Sequence, residues 1–463
     1  MQKLWRLCLC LAALFWLLGL SHGVQAHALL LAAEPPENGV LAQSPGAIQL
    51  WFTEPVEPNF TEVVLRAADG SVQQTGKPNR DLSDPAYVSV SLPALREGVY
   101  SVTWKVLSQL DGHITNGTYA FAVGSGDPTA LSSSSTASAN LPEALARWLM
   151  ASGLALVLGS LTFPLLVWRT PLPPADNRSW QRMQWLGCGL LLLAALGGLW
   201  AQSNQLNGEQ ALQPAALGQL LLATRWGWLW LLRLAAIAWL AINMQSRLGK
   251  VLVGVAALGF LLVHSFSTHA ASVGILWLGV TTSVLHIATV SVWLGGLVGL
   301  LYQLPRLRAL PLSDRWEMLA VAIGRFSPLG LAAVGLLSLS GGLTAWQTVG
   351  GVAALQGSSY GNALLLKLGV VLVIVLVAAY NLLVIKPGIA RRRAQPQQST
   401  PDLINAMRQA VFVEVGLGLG ILGLAALVAS LPFPNVQPRQ MRFQSAAEDL
   451  QLQLQIIPGA SWF

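Results

Sequence analysis

A chain of 463 residues that is 54% hydrophobic and only 10% charged carries more apolar surface than a soluble globule buries, so it reads as an integral membrane protein with a water-soluble part attached. Its net charge of +7 is unevenly spread: residues 27–124 hold five Lys/Arg against ten Asp/Glu, and the positive excess lies between the later apolar segments. That distribution speaks for membrane topology and excludes nucleic acid as the partner that the overall charge would suggest.

In chain order, residues 1–26 read as a removable signal peptide, with Lys3 and Arg6 ahead of the apolar run Leu7 to Leu20 and small residues at Val24-Gln25-Ala26. Cleavage after Ala26 makes His27 the N-terminus. Its α-amine, with a pKa of about 7.7–8.0 when free, and its Nδ1 then close a chelate ring on one metal ion, which an internal histidine cannot do. Cys8 and Cys10 leave with the leader, so Cys188 stands alone and no disulfide framework or CxxC relay is possible within the mature chain.

Residues 27–124 read as an all-β, immunoglobulin-like sandwich. Short β-branched or aromatic runs at Ile48 to Phe52, Glu62 to Ala67, Tyr87 to Leu92, Val99 to Leu107 and Thr118 to Val123 are separated by Pro, Gly, Asn and Asp. About 100 residues suffice for such a domain to fold without disulfides. Within Ser108-Gln109-Leu110-Asp111-Gly112-His113, Asp111 and His113 are expected to point the same way along an extended strand end. With His27 they offer two imidazoles, an amine and a carboxylate, donors suited to Cu(II). Taken singly, His27 is an ordinary terminal residue and Asp-Gly-His a hairpin turn; their joint occurrence in one exported domain favours a metal site. Residues 27–124 contain no Met and no Cys, the donors that favour Cu(I).

A Ser/Thr/Ala/Gly-rich linker over 125–144 leads to an all-α membrane bundle over 145–431. About eight spans of ~20 residues are expected, at 145–167, 185–201, 226–243, 251–267, 275–302, 328–347, 362–385 and 411–431. Arg169, Arg178, Arg182, Arg247, Lys250, Arg306, Arg308, Arg315, Lys386 and Arg391 to Arg393 fall on one side, whereas the loops 202–220, 268–274 and 348–361 contain no Lys or Arg. That bias puts the sandwich and the C-terminus on the periplasmic side of a bacterial inner membrane. His264 and His269 then lie at the outer end of the fourth span and His286 about eleven residues into the fifth, three groups able to form a descending path. Arg225, Arg233, Lys367 and Glu414 read equally well as transport groups or as interhelical pairs. After Pro432 the tail 432–463 returns outside; Leu450 to Ile456 alternates as a lone strand, the stump of a further β domain or a partner for the sandwich edge.

The N-terminal His27, Trp51-Phe52-Thr53-Glu54-Pro55-Val56, Gly98 to Trp104 and Asp111-Gly112-His113 resemble the periplasmic copper-binding CopC family over the whole sandwich. Residues 145–431 resemble the CopD membrane family through Ser267 to Ala270, His286 with Trp293-Leu294-Gly295-Gly296-Leu297, Arg325-Phe326-Ser327 and Leu366-Lys367-Leu368. The resemblance to a CopC–CopD fusion implies a Cu(II) site of His27, Asp111 and His113, with Glu54 as a nearby carboxylate, and a membrane part that passes copper toward the cytoplasm. It implies copper, the bilayer and other periplasmic copper proteins as partners, and a transporter in copper homeostasis or resistance rather than an enzyme. No Gly-rich phosphate loop ending in Gly-Lys-Ser/Thr is present, so a gradient or potential is expected to drive transfer. Two alternatives compete: a membrane oxidoreductase with haem held by intramembrane histidines, and an oxidative copper enzyme built on a histidine brace at the N-terminus.

Overall fold

The computed structural model describes residues 28–80, 84–131, 140–169, 177–244, 249–267, 276–348, 358–394, 402–431, 441–447 and 450–456. The expected leader, His27 and His269 lie outside the described residues.

The first domain is a two-sheet sandwich of strands β1 (Leu30–Glu34), β2 (Val40–Leu41), β3 (Ala47–Phe52), β4 (Glu62–Ala67), β5 (Val72–Gln73), β6 (Asn79–Arg80), β7 (Tyr87–Ser91), β8 (Gly98–Leu107) and β9 (Ile114–Val123). One sheet has the order β1-β3-β7-β6, the other β2-β9-β8-β4-β5. Alternation decides which side of each strand faces inward: β3 buries Ile48, Leu50 and Phe52, and β8 buries Tyr100, Val102, Trp104 and Val106. Phe52 meets Trp104 edge-on at 5.3 Å between the sheets, and Tyr100 stacks at 5.7 Å on Phe121, its partner across β8 and β9, geometries that aromatic quadrupoles favour. The Tyr100 hydroxyl donates to Arg96 O at 2.9 Å, a tie of the kind that fixes corners in sandwiches.

Two expectations change here. β9 starts four residues before Thr118, because pairing with β8 continues from Gly98↔Val123 to Leu107↔Ile114 and carries the weak strand formers Asn116 and Gly117 with it. Asp111 and His113 stand in the loop that joins the two strands, not on an extended strand end.

The second domain comprises helices α1 (Leu141–Leu166), α2 (Asn177–Asn207), α3 (Pro214–Ala223), α4 (Arg225–Asn243), α5 (Gly249–Phe266), α6 (Leu276–Gln303), α7 (Leu312–Thr348), α8 (Ser359–Tyr380), α9 (Lys386–Ala394) and α10 (Asp402–Val428). A π-turn at Asn381–Ile385 joins α8 to α9. Seven stretches are long and apolar enough to cross a membrane, among the described residues, making this a multi-pass protein. All eight expected spans are helical, but the fourth, over Val251–Phe266, falls short of that length. The expected loop 202–220 is largely helical too, holding the end of α2 and most of α3.

Helix α1 is central, packed against α2, α6 and α10. Gly159 and Gly295 are where α1 and α6 cross: a Cβ on Gly295 would sit 2.0 Å from Ala155 O, the close approach that small residues permit in membranes. At the far end from the sandwich, Arg325 donates to Val167 O and Arg169 O, and Arg393 pairs with Glu317. The tail is a two-stranded antiparallel hairpin, β10 (Met441–Ala447) with β11 (Leu450–Ile456), so the strand expected to be alone has a partner just upstream.

Candidate metal-transfer site

The loop between β8 and β9 is closed by its own backbone, with Ser108 N donating to His113 O at 2.9 Å and Gly112 N to Ser108 O at 3.1 Å. Asp111 Oδ1 accepts from His113 N at 2.9 Å, an Asx turn. Its other oxygen, Oδ2, lies 3.1 Å from His113 Nδ1. The turn thus unites the two side chains singled out in the sequence. Glu54 is 4% exposed and its Oε2 accepts from Ser108 Oγ at 2.7 Å, so it meets the loop through Ser108. Ala28, next to His27 in the chain, is held at the same end: Thr115 Oγ1 donates to Ala28 O at 2.7 Å.

The loop is inserted into one end of the bundle. Arg225 Nη1 donates to Leu110 O at 2.9 Å and Gln202 Nε2 to Gly112 O at 2.7 Å. On the strand beside them, Lys105 Nζ donates to Leu206 O at 3.2 Å. Gly112 is required twice over. Its φ of +72° lies in the left-handed region, and a Cβ there would stand 2.2 Å from Trp226 Cδ1. Arg147 Nη2 reaches to 3.1 Å from His113 Nε2 and 2.5 Å from Glu143 Oε1. Asn140 caps the helix that carries Glu143: its Oδ1 accepts from Glu143 N at 3.3 Å and its Nδ2 donates to Glu143 Oε2 at 3.2 Å.

Between loop and helices lies a cavity of about 90 Å³, lined by Asp111, His113, Glu143, Arg147, Arg233 and His264 together with Met150, Trp226 and Trp230. His264, at the last turn of α5, is 7% exposed; neither its Nδ1 nor Arg233 Nη2 has a hydrogen-bond partner among the described residues. Burial would by itself push the His113 imidazole down, but the Asp111 carboxylate, with help from Glu143, outweighs burial and the opposing Arg147 and holds it above the ordinary histidine value.

His286 does not line this cavity. It stands on α6 facing α7, with Nδ1 2.8 Å from Ser340 Oγ. That hydroxyl donates to Leu336 O at 2.6 Å, so its oxygen accepts Nδ1–H and the Nε2 lone pair is left for a ligand. The remaining intramembrane candidates form no ion pairs among the described residues. Glu414 Oε1 accepts from Asn381 Nδ2 at 2.8 Å at the π-turn, Arg225 serves the loop carbonyls, and the Arg233 guanidinium lies 6.0 Å from the centre of the Trp226 ring. Among the described residues no three His, Cys, Asp or Glu side chains converge as a metal cage; Asp111 and His113 supply two donors.

Glu143, Arg147, Gln202 and Trp226 were not singled out in the sequence. Only the first left a readable sign there, in the spacing Asn140-Leu-Pro-Glu143 that marks a capped helix start.

Comparison with known proteins matches residues 30–124 to the CopC domain, 138–277 to the N-terminal domain of copper resistance protein D-like proteins, and 320–428 to copper resistance protein D. The copper transport protein CutJ of Bacillus subtilis is 27% identical over 446 residues, covering 91% of this chain and 77% of that protein. Protein YobA of Escherichia coli K12 is 36% identical over 101 residues, 22% of this chain and 81% of its own. The crystal structure of CopC from Methylosinus trichosporium OB3b shares 31% identity over 21% of this chain and 93% of that one, with a TM-score of 0.20.

Proposed function

Because this chain belongs to the CopC–CopD fusions, with a CopC domain and both parts of copper resistance protein D in one polypeptide, we propose that it captures Cu(II) on its exported sandwich and passes the ion through its own membrane bundle toward the cytoplasm. Removal of the leader frees the His27 amine, and His27, Asp111 and His113 hold the ion. From there it crosses the cavity to His264 and descends past His286. The protein makes and breaks no covalent bonds in doing so.

One observation carries this reading: the loop bearing Asp111 and His113 is seated in the bundle so that both residues share a wall with His264. A chamber of about 90 Å³ accommodates an ion with a few waters, well below the ~300 Å³ at which organic-ligand pockets begin. Thr115 anchors Ala28, the sequence neighbour of His27, at this end of the sandwich. The Lys/Arg-poor loops on the sandwich side support its periplasmic placement. A membrane potential, negative inside, is worth about 2.3 kcal/mol per elementary charge per 100 mV and favours inward movement of a divalent cation.

The test uses the full chain in liposomes, sandwich outward, with Cu(II) outside and a chelating dye within. His264→Asn is expected to slow copper arrival by at least about tenfold, the scale of losing even an outer partner of a metal ligand, while loading of the sandwich persists. His113→Asn is expected to reduce both. Undiminished arrival in His264→Asn would remove the chamber from the path.

A further inference from the structure

We propose that Arg147 is the latch of the transfer chamber: its guanidinium is bound to His113 while the sandwich is empty and is expelled when His113 takes copper. The inference rests on the copper reading of His113 given above and adds a mechanism by which loading outside is felt inside the bundle.

The argument is one of donors and acceptors. Arg147 Nη2 lies 3.1 Å from His113 Nε2. A guanidinium only donates and is not deprotonated in proteins, so Nε2 must be the accepting nitrogen, with its lone pair turned toward Arg147. Copper leaves no such lone pair. If the ion binds Nε2, it takes the position directly. If it binds Nδ1, beside Asp111, the neutral ring carries its proton on Nε2 and presents a donor to a donor. Whichever ring nitrogen is used, the Arg147 contact is lost. Glu143 is placed for the exchange: its Oε1 is 3.7 Å from His113 Nε2, within a small movement of accepting Nε2–H, and 2.5 Å from the guanidinium that has to leave. Metal-bound histidines commonly donate their second nitrogen to a carboxylate in this way.

Charge points the same way. Arg147 lines the chamber together with Asp111, Glu143 and Arg233. A divalent ion arriving at His113 brings two positive charges to the neighbourhood of a fixed one, in a site with little water to screen them. Displacement of Arg147 relieves that repulsion. Because Arg147 and Glu143 stand on the first two turns of α1, which packs against α2, α6 and α10, the exchange occurs on the helix at the centre of the bundle.

The experiment is competitive Cu(II) titration of the full chain in detergent micelles, with His27 as its true N-terminus. Wild-type protein must displace Arg147 in order to load, so Arg147→Gln is expected to bind Cu(II) roughly tenfold more tightly, the scale of one hydrogen bond to a charged group. Arg147→Lys, which retains a charged donor, is expected to stay near wild type. Arg233→Gln removes an equal charge from the same chamber, where its guanidinium lies near the Trp226 ring, and is expected to gain much less. Equal gains in Arg147→Gln and Arg233→Gln would reduce the effect to charge alone and overturn the latch, as would unchanged or weaker binding in a folded Arg147→Gln. Absence of Cu(II) binding in every variant and in wild type would instead overturn the copper reading itself.

Discussion

Under the copper reading proposed above, Asp111 places two demands on His113: it orients the ring for a metal and it stabilises the proton that competes with the metal. The imidazole is held above its ordinary pKa of 6.5 by Asp111 first and Glu143 second, against burial and Arg147. At the proposed site copper competes with that proton, so affinity is expected to fall as pH drops, starting above 6.5 and steepening toward tenfold per pH unit once one proton is exchanged per ion. Glu143→Gln removes part of the raising field and is expected to move the onset to lower pH. Competitive titration across this range decides the matter; an onset unaffected by Glu143→Gln would show that Asp111 acts alone. The pairing of Asp111 with His113 was legible in the sequence, although the reason was different. Strand alternation was expected to align them, whereas an Asx turn with a left-handed glycine does so. Arg147 was not legible, because its partner is 34 residues away in another domain and nothing local in the chain specifies that meeting.

Among the elements, the β8–β9 hairpin and the α1–α6 crossing carry the greatest constraint. Gly112→Ala places a side chain where φ is +72° and where Trp226 already stands. The sandwich core is untouched by this change, so the domain is expected to fold while its loop lifts off the bundle, read as faster amide exchange in α4 around Trp226 and slower copper arrival. Normal protection in α4 would mean that the loop has room to adjust. Gly295→Leu drives a side chain into the backbone of α1 at Ala155 and Gly159 and is expected to cost the bundle about 1–3 kcal/mol or more, measured as a lower melting temperature of the membrane domain. The strands with clear alternation, β3, β4, β7 and β8, were readable because one face of each must be buried. The two-residue strands β2, β5 and β6 were not, since two residues cannot display a period. Likewise α3, at ten residues, is too short to declare itself against the surrounding turns.

At the scale of the molecule, composition alone separated the two domains, because a bilayer imposes a length rule on every helix that crosses it. How the domains meet was hidden, since their contacts join residues far apart in the chain, such as Lys105 with Leu206 and Gln202 with Gly112. That meeting is also tethered. Strand β9 leaves the docked loop at His113 and the chain returns through the linker to Asn140, the cap of the helix that carries Arg147. A meeting of two domains on one chain is intramolecular, governed by an effective concentration rather than by the concentration of separate partners. The polar contacts between the domains can then break and reform without the partners diffusing apart. Separate sandwich and bundle chains would have to find each other again after every parting; here both belong to one polypeptide, so loose docking and rapid turnover become compatible.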